Sequence, residues 1–151
     1  LSAVEKQDYV FLLVRPHPRE ETEKYFEVLS EKDKVMLVPE DEVNIYELLL
    51  TVDYAITVQS TLGLWVLALK KPLIVLDILQ TPYENPLKEV ALIAHNTDEL
   101  TNILSNLRKN QNFKEEISQN IDKFVGEHLY KIDGKATERV ARLIMSILKE
   151  V

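Results

Sequence analysis

Cysteine is absent from this chain of 151 residues, so neither a disulfide nor a thiolate metal site can form. Glycine is scarce: Gly63, Gly126 and Gly134 are the only three, and they are scattered. That scarcity excludes a GxGxxG turn and a Walker loop, which need clustered glycines to bring backbone against phosphate. It also keeps Ser60 out of a nucleophile elbow, since no glycine flanks it. The histidines, His17, His95 and His128, lie far apart without metal-ligand spacing, so we expect no metal and no cofactor. No apolar run reaches the length of a membrane span, and no N-terminal signal peptide is visible. Positive charge is in deficit, with 18 Lys and Arg against 25 Asp and Glu, a net charge of −7. A general nucleic-acid surface is therefore not expected, because affinity there comes mainly from neutralising phosphates.

What is present fits one soluble domain: 46% of residues are hydrophobic and 28% charged, in a chain long enough to bury a core. The lack of cysteine is compatible with the cytoplasm, which is where we expect the protein. The first residue is Leu1, not Met, and a strand-like segment follows almost at once. We therefore expect the second half of a longer protein, with an N-terminal domain missing.

The chain is organised around Asp53 to Asp77. Tyr54 to Val58 is a short β-branched apolar run, which predicts a strand buried on both faces and central in its sheet. Gln59, Ser60 and Thr61 lead into Leu62 to Leu69, an apolar helix of about two turns. Lys70 and Lys71 stand where cations meet the negative end of that helix, Pro72 stops it, and Leu73 to Leu76 is a second strand. Such a strand–helix–strand unit crosses over right-handed into a parallel sheet.

The flanking segments repeat the alternation. Tyr9 to Val14 and Val35 to Val38 predict strands. Between them Pro18 suits a first helical position, and Thr22, Tyr25, Phe26 and Leu29 form a helical stripe. Ile45, Leu48, Leu49 and Val52 share one face of a short helix. Ile78 to Lys88, with Pro82 and Pro86, reads as a loop, and Val90 to Ala94 as a last strand. Asn96 with Glu99 makes a capping box ahead of Leu100, Ile103, Leu104 and Leu107. Phe113, Ile117, Ile121 and Phe124 mark a further helix, which Gly126 is expected to end. Ile132 to Lys135 predicts a turn before a C-terminal helix over Ala136 to Glu150. The pattern predicts an α/β, Rossmann-like three-layer sandwich with a parallel sheet of about five strands and helices on both faces.

In open parallel sheets ligands bind beyond the carboxyl ends of the strands. Arg15 to Arg19, Gln59 to Thr61 and Ile78 to Lys88 emerge there. Backbone amides at a helix start, with the Ser60 and Thr61 hydroxyls, suit a phosphate, and Arg15 and His17 supply a cation and an imidazole. The plainer alternatives are a helix cap for His17 and an N-cap for Ser60 and Thr61. Trp65 reads as a large core or interface residue.

In order and spacing these pieces resemble the C-terminal domain of the two-domain GT-B glycosyltransferases and the related UDP-N-acetylglucosamine 2-epimerases. The resemblance is carried by Pro16-His17-Pro18, by Leu48-Leu49 with Asp53, by Ile56 to Thr61, and by Lys71 to Val75. Asp133 to Ala136 with Arg139-Val140-Ala141 resembles the tail of surface-carbohydrate enzymes, including CDP-glycerol-type polymerases. The resemblance implies a domain that binds the diphosphate of a nucleotide-activated sugar for surface polysaccharide synthesis. In that role His17 would contact a phosphate and act catalytically by stabilising the departing diphosphate, while Arg15, Gln59, Ser60 and Thr61 would bind the donor. An epimerase-like enzyme and a non-catalytic domain serving partner contacts are the alternatives, and self-association into an oligomer is compatible with all three. One position departs from the pattern. Where the family carries Glu or Asp, five residues beyond Ser60, this chain has Trp65, which cannot accept hydrogen bonds from a pair of hydroxyls. The resemblance also implies that the C-terminal helix reaches towards the missing domain, leaving its apolar face only partly covered here.

Overall fold

Leu73, Ile74 and Val75 are consecutive and buried, and the fold is assembled on the strand they form. A computed structural model describes residues 1–80 and 86–149 of the chain. Its elements, in chain order, are α1 (Ser2–Glu5), β1 (Leu12–Val14), α2 (Thr22–Leu29), β2 (Val35–Leu37), α3 (Ile45–Thr51), β3 (Ala55–Thr57), α4 (Leu62–Ala68) and β4 (Leu73–Leu76). A single 3-10 turn over Pro86–Glu89 precedes β5 (Leu92–Ala94), and α5 (Thr97–Lys109), α6 (Gln111–His128) and α7 (Ala136–Lys149) complete the chain. Residues 81–85, and with them Pro82 of the expected loop, lie outside the described residues, as does Glu150 at the end of the expected C-terminal helix.

All pairing is parallel, and the alternation of strands and helices makes the fold Rossmann-like. Among the described residues, however, the strands form two sheets, β1–β2 and β3–β4–β5, rather than one sheet of five. In the larger sheet Ile56 pairs with Ile74 and Val75 with Ile93, so β4 and not Tyr54–Val58 is central. Burial explains the correction. β3 is half-buried throughout and Val58 beyond it is exposed, whereas β4 has no open face along its first three residues.

The first strand is shorter than its apolar run because the start of that run is drawn elsewhere. Val10 joins the core, the Tyr9 hydroxyl donates to the Leu104 carbonyl at 3.3 Å, and the Arg108 guanidinium lies over the Tyr9 ring. Helix α1, which hydropathy did not predict, packs on α5 through Ala3 and Val4. Helices α5 and α6 bury the stripes their periodicity gives them, Leu104 and Leu107 on one, Ile117, Ile121 and Phe124 on the other. Gly126 does not end α6, which runs on to His128. Pro18 likewise does not open α2, which begins at Thr22.

Helix α7 stands apart from this core. None of its residues is buried, and Val140, Leu143, Ile144, Ile147 and Leu148 are all exposed. An Arg139–Asp133 pair, with contacts of 2.7 and 2.9 Å, ties its first turn to the preceding loop.

Candidate functional site

A loop leaves the carboxyl end of each of the five strands, and those after β1, β3, β4 and β5 place their polar groups differently. After β1, Arg15 is held inward by backbone carbonyls. Its guanidinium donates to Pro39 at 3.0 Å, Val43 at 2.7 Å and Glu40 at 3.0 Å, and so secures the loop between β2 and α3. These bonds tie Arg15 to the fold.

His17 lies in an exposed turn. The Glu20 carboxylate accepts its N–H at 2.9 Å and the Tyr25 hydroxyl at 2.9 Å. These two donors hold the Glu20 carboxyl below its ordinary pKa, the His17 N–H first and the Tyr25 hydroxyl second. The His17 ring accepts the Arg19 N–H at Nδ1 at 3.1 Å. An amide N–H can only donate, so in this arrangement Nδ1 is the ring's acceptor and Nε2 points away from this bond.

After β3, the Ser60 hydroxyl accepts the Leu62 N–H at 3.2 Å, and the Ser60 carbonyl accepts the Gly63 N–H. Ser60 therefore satisfies two N–H groups of the first turn of α4 from the residue before its N-cap. Thr61 is the N-cap residue but makes no side-chain cap bond, and it is exposed together with Gln59. Among the described residues no hydrogen bond joins the His17 turn to the Ser60 turn.

After β4, Asp77 forms an ion pair with Lys88 at 2.6 Å, its side chain only 10% exposed. After β5, the Glu99 carboxylate accepts the His95 N–H and contacts His95 Nδ1, both at 2.9 Å. Those contacts, the His95 amide foremost, lower the Glu99 pKa. Sequence reasoning did not single out Asp77 or His95 as site residues. The available signal was position, since each is the first residue past a buried strand. Among the described residues no group of three His, Asp or Glu side chains could hold a metal ion. No helix among them is long and apolar enough to cross a membrane.

The lysines after α4 do not act as expected. The Lys71 ammonium donates to the carbonyls of Leu49, Leu50 and Val52 at 2.5–2.8 Å, which caps α3 and not the helix it follows. Lys70 pairs with Asp122 of α6. Trp65 is not a core residue: it is 52% exposed, and its ring meets the Tyr46 ring edge-to-face at 5.0 Å.

Parallel strands joined through helices, with polar loops at their carboxyl ends, define a Rossmann-type domain. Comparison with known families narrows this. The chain belongs to the CDP-Glycerol:Poly(glycerophosphate) glycerophosphotransferase family, whose profile matches residues 1–146. That assignment selects the CDP-glycerol-type branch of the resemblance, not the epimerase branch. Among solved structures, a histidine-to-asparagine variant of the wall teichoic acid polymerase TagF with CDPG is similar at a TM-score of 0.67 and 23% identity. The match covers 97% of this chain and 37% of that one. A second TagF structure is similar at a TM-score of 0.53 and 15% identity, over 99% of this chain and 48% of that one. These likenesses concern the fold, and the chain spans less than half of the polymerase chains it matches. No curated protein matches significantly.

Proposed function

We propose that this chain is the donor-binding domain of a glycerophosphotransferase that extends a cell-wall polymer from CDP-glycerol. The observation that carries the reading is the family match over residues 1–146. A sugar donor would lose its nucleoside diphosphate by cleavage of a carbon–oxygen bond. CDP-glycerol as a glycerophosphate donor reacts at phosphorus instead. An acceptor hydroxyl oxygen bonds to the phosphorus bearing glycerol, the bond from that phosphorus to the bridging oxygen breaks, and CMP leaves with the oxygen. The hydroxyl proton passes to a base.

The domain's contribution is to place the diphosphate and spread its charge. The Thr61 hydroxyl binds a phosphate oxygen, Gln59 borders it, and His17 offers Nε2–H to the leaving phosphate. Ser60 shapes this turn through its bond to Leu62, and Arg15 shapes the neighbouring one. A domain N-terminal to this chain supplies the acceptor site and the base, on the cytoplasmic side of the membrane. The exposed apolar face of α7 favours a second reading, a domain kept for partner contacts alone.

Calorimetric titration of CDP-glycerol into the full-length protein and its His17→Ala and Thr61→Ala variants tests the proposal. A hydrogen bond to a charged group contributes about 1.5–3 kcal/mol, so each variant is expected to bind about tenfold more weakly or worse. A wild-type protein that does not bind CDP-glycerol refutes the donor reading. Variants that bind as the wild type does remove these two residues from it.

A further inference from the structure

We propose that Trp65 and Tyr46 form a stacking platform for the pyrimidine ring of the nucleotide, an inference that rests on the donor reading above. Two aromatic rings from different helices meet on the surface at 5.0 Å with planes 70° apart. Trp65 is 52% and Tyr46 49% exposed. The edge-to-face contact orients the indole without covering both of its faces. Tyr46 is itself fixed at the start of α3, where the Asn44 side chain accepts its N–H at 2.9 Å.

Position makes the platform relevant to the phosphate-binding turn. Thr61 and Trp65 are four residues apart at the head of α4 and share one exposed face. Side chains on a helix lean towards its N-terminus, so the indole lies back over the turn that Thr61 begins. Four residues of helix rise about 6 Å, which is close to the span of a ribose between its 5′-phosphate and its base. A phosphate held by the Thr61 hydroxyl therefore sets a base down at the indole.

The chemistry follows from the side chains. An indole accepts no hydrogen bonds from ribose hydroxyls but offers a π-face, and a pyrimidine offers one in return. Recognition passes from the hydroxyl pair of the sugar to the face of the base. The platform so replaces a hydrogen-bonded grip with a stacked one.

The test is calorimetry on the full-length protein with CDP-glycerol, CMP and glycerol 3-phosphate, comparing the wild type with Trp65→Ala and Trp65→Phe. Trp65→Ala is expected to weaken CMP and CDP-glycerol by about tenfold and to leave glycerol 3-phosphate unchanged. Trp65→Phe, which restores a ring, is expected to keep most of the affinity. Unchanged CMP affinity in Trp65→Ala, with CDP-glycerol still bound, overturns the platform and leaves the donor reading intact. An equal loss for glycerol 3-phosphate, or no recovery in Trp65→Phe, overturns it too by showing that the indole acts on the fold or on a protein partner. A wild type that fails to bind CDP-glycerol removes both readings.

Discussion

The sheet β3–β4–β5 with α5 and α6, and the helix α7, are built from similar residues with opposite outcomes. Both are rich in Leu and Ile at helical or strand spacing. In the first region Leu104 and Ile121 disappear from solvent, while in α7 Leu143, Ile147 and Leu148 stay exposed. Periodicity fixes which residues share a face, but what covers that face depends on the elements nearby. In α7 the periodicity gives a broad apolar face that no element among the described residues buries.

The comparison can be broken most forcefully in the core. Leu104→Ala removes a fully buried side chain and should cost about 2–5 kcal/mol, read as a lower urea midpoint. Next comes Gly63→Ala in α4. A Cβ there would stand 2.7 Å from a Leu87 methyl and 2.9 Å from a Leu73 methyl. Overpacking of that kind costs about 1–3 kcal/mol, offset by at most about 1 kcal/mol of helix propensity. A Gly63→Ala variant more stable than wild type would mean that those methyls give way freely.

The equivalent truncations in α7 sharpen the contrast. Leu143→Ala and Leu148→Ala should each change the stability of this domain by no more than about 0.5 kcal/mol. A loss on the scale of Leu104→Ala in the full-length protein would show that another domain covers the helix. The smallest expected effect is one of pH. The Arg139 guanidinium, followed by the Lys135 N–H, holds the Asp133 carboxyl below its ordinary pKa. Its contribution is therefore present above the ordinary aspartate value and is lost as pH falls through the lowered one. Amide exchange in the first turn of α7 should quicken across that acid window, and Asp133→Asn should remove the pH dependence.

Local features were legible in the chain. Asn96 caps α5 as its spacing predicts, accepting the Glu99 N–H at 2.9 Å, because both partners lie in one turn. The Glu99 carboxylate accepts the Asn96 side-chain amide at 2.8 Å and the N–H of His95, one residue before the expected Asn96 N–H. The stripes of α5 and α6 were legible for the same reason. What escaped was set at a distance. Nothing near Lys71 marks it as the cap of α3, 20 residues back, and nothing near Arg15 marks the carbonyls of Pro39 to Val43 as its partners. Asp77 pairs with Lys88, 11 residues on, and the Tyr9 hydroxyl donates to a carbonyl of α5, 95 residues away. Sequence located the loops along the chain, but it could not tell that the Ser60 hydroxyl oxygen and the Arg15 guanidinium would meet backbone groups.

The exposed Thr61 turn, with Trp65 beside it, lies at the carboxyl ends of the strands. A cleft of about 420 Å³, lined by Tyr9, Tyr54, Lys70, Pro72, Arg108 and Lys114, lies at their amino ends, so a direct decision between the two is possible. A crystal structure of the full-length protein soaked with CDP-glycerol would show which one the donor occupies. The account predicts the diphosphate against the Thr61 turn, with His17 Nε2 in reach and the cytosine ring on Trp65. A donor seated instead between Arg108 and Lys114 would contradict it.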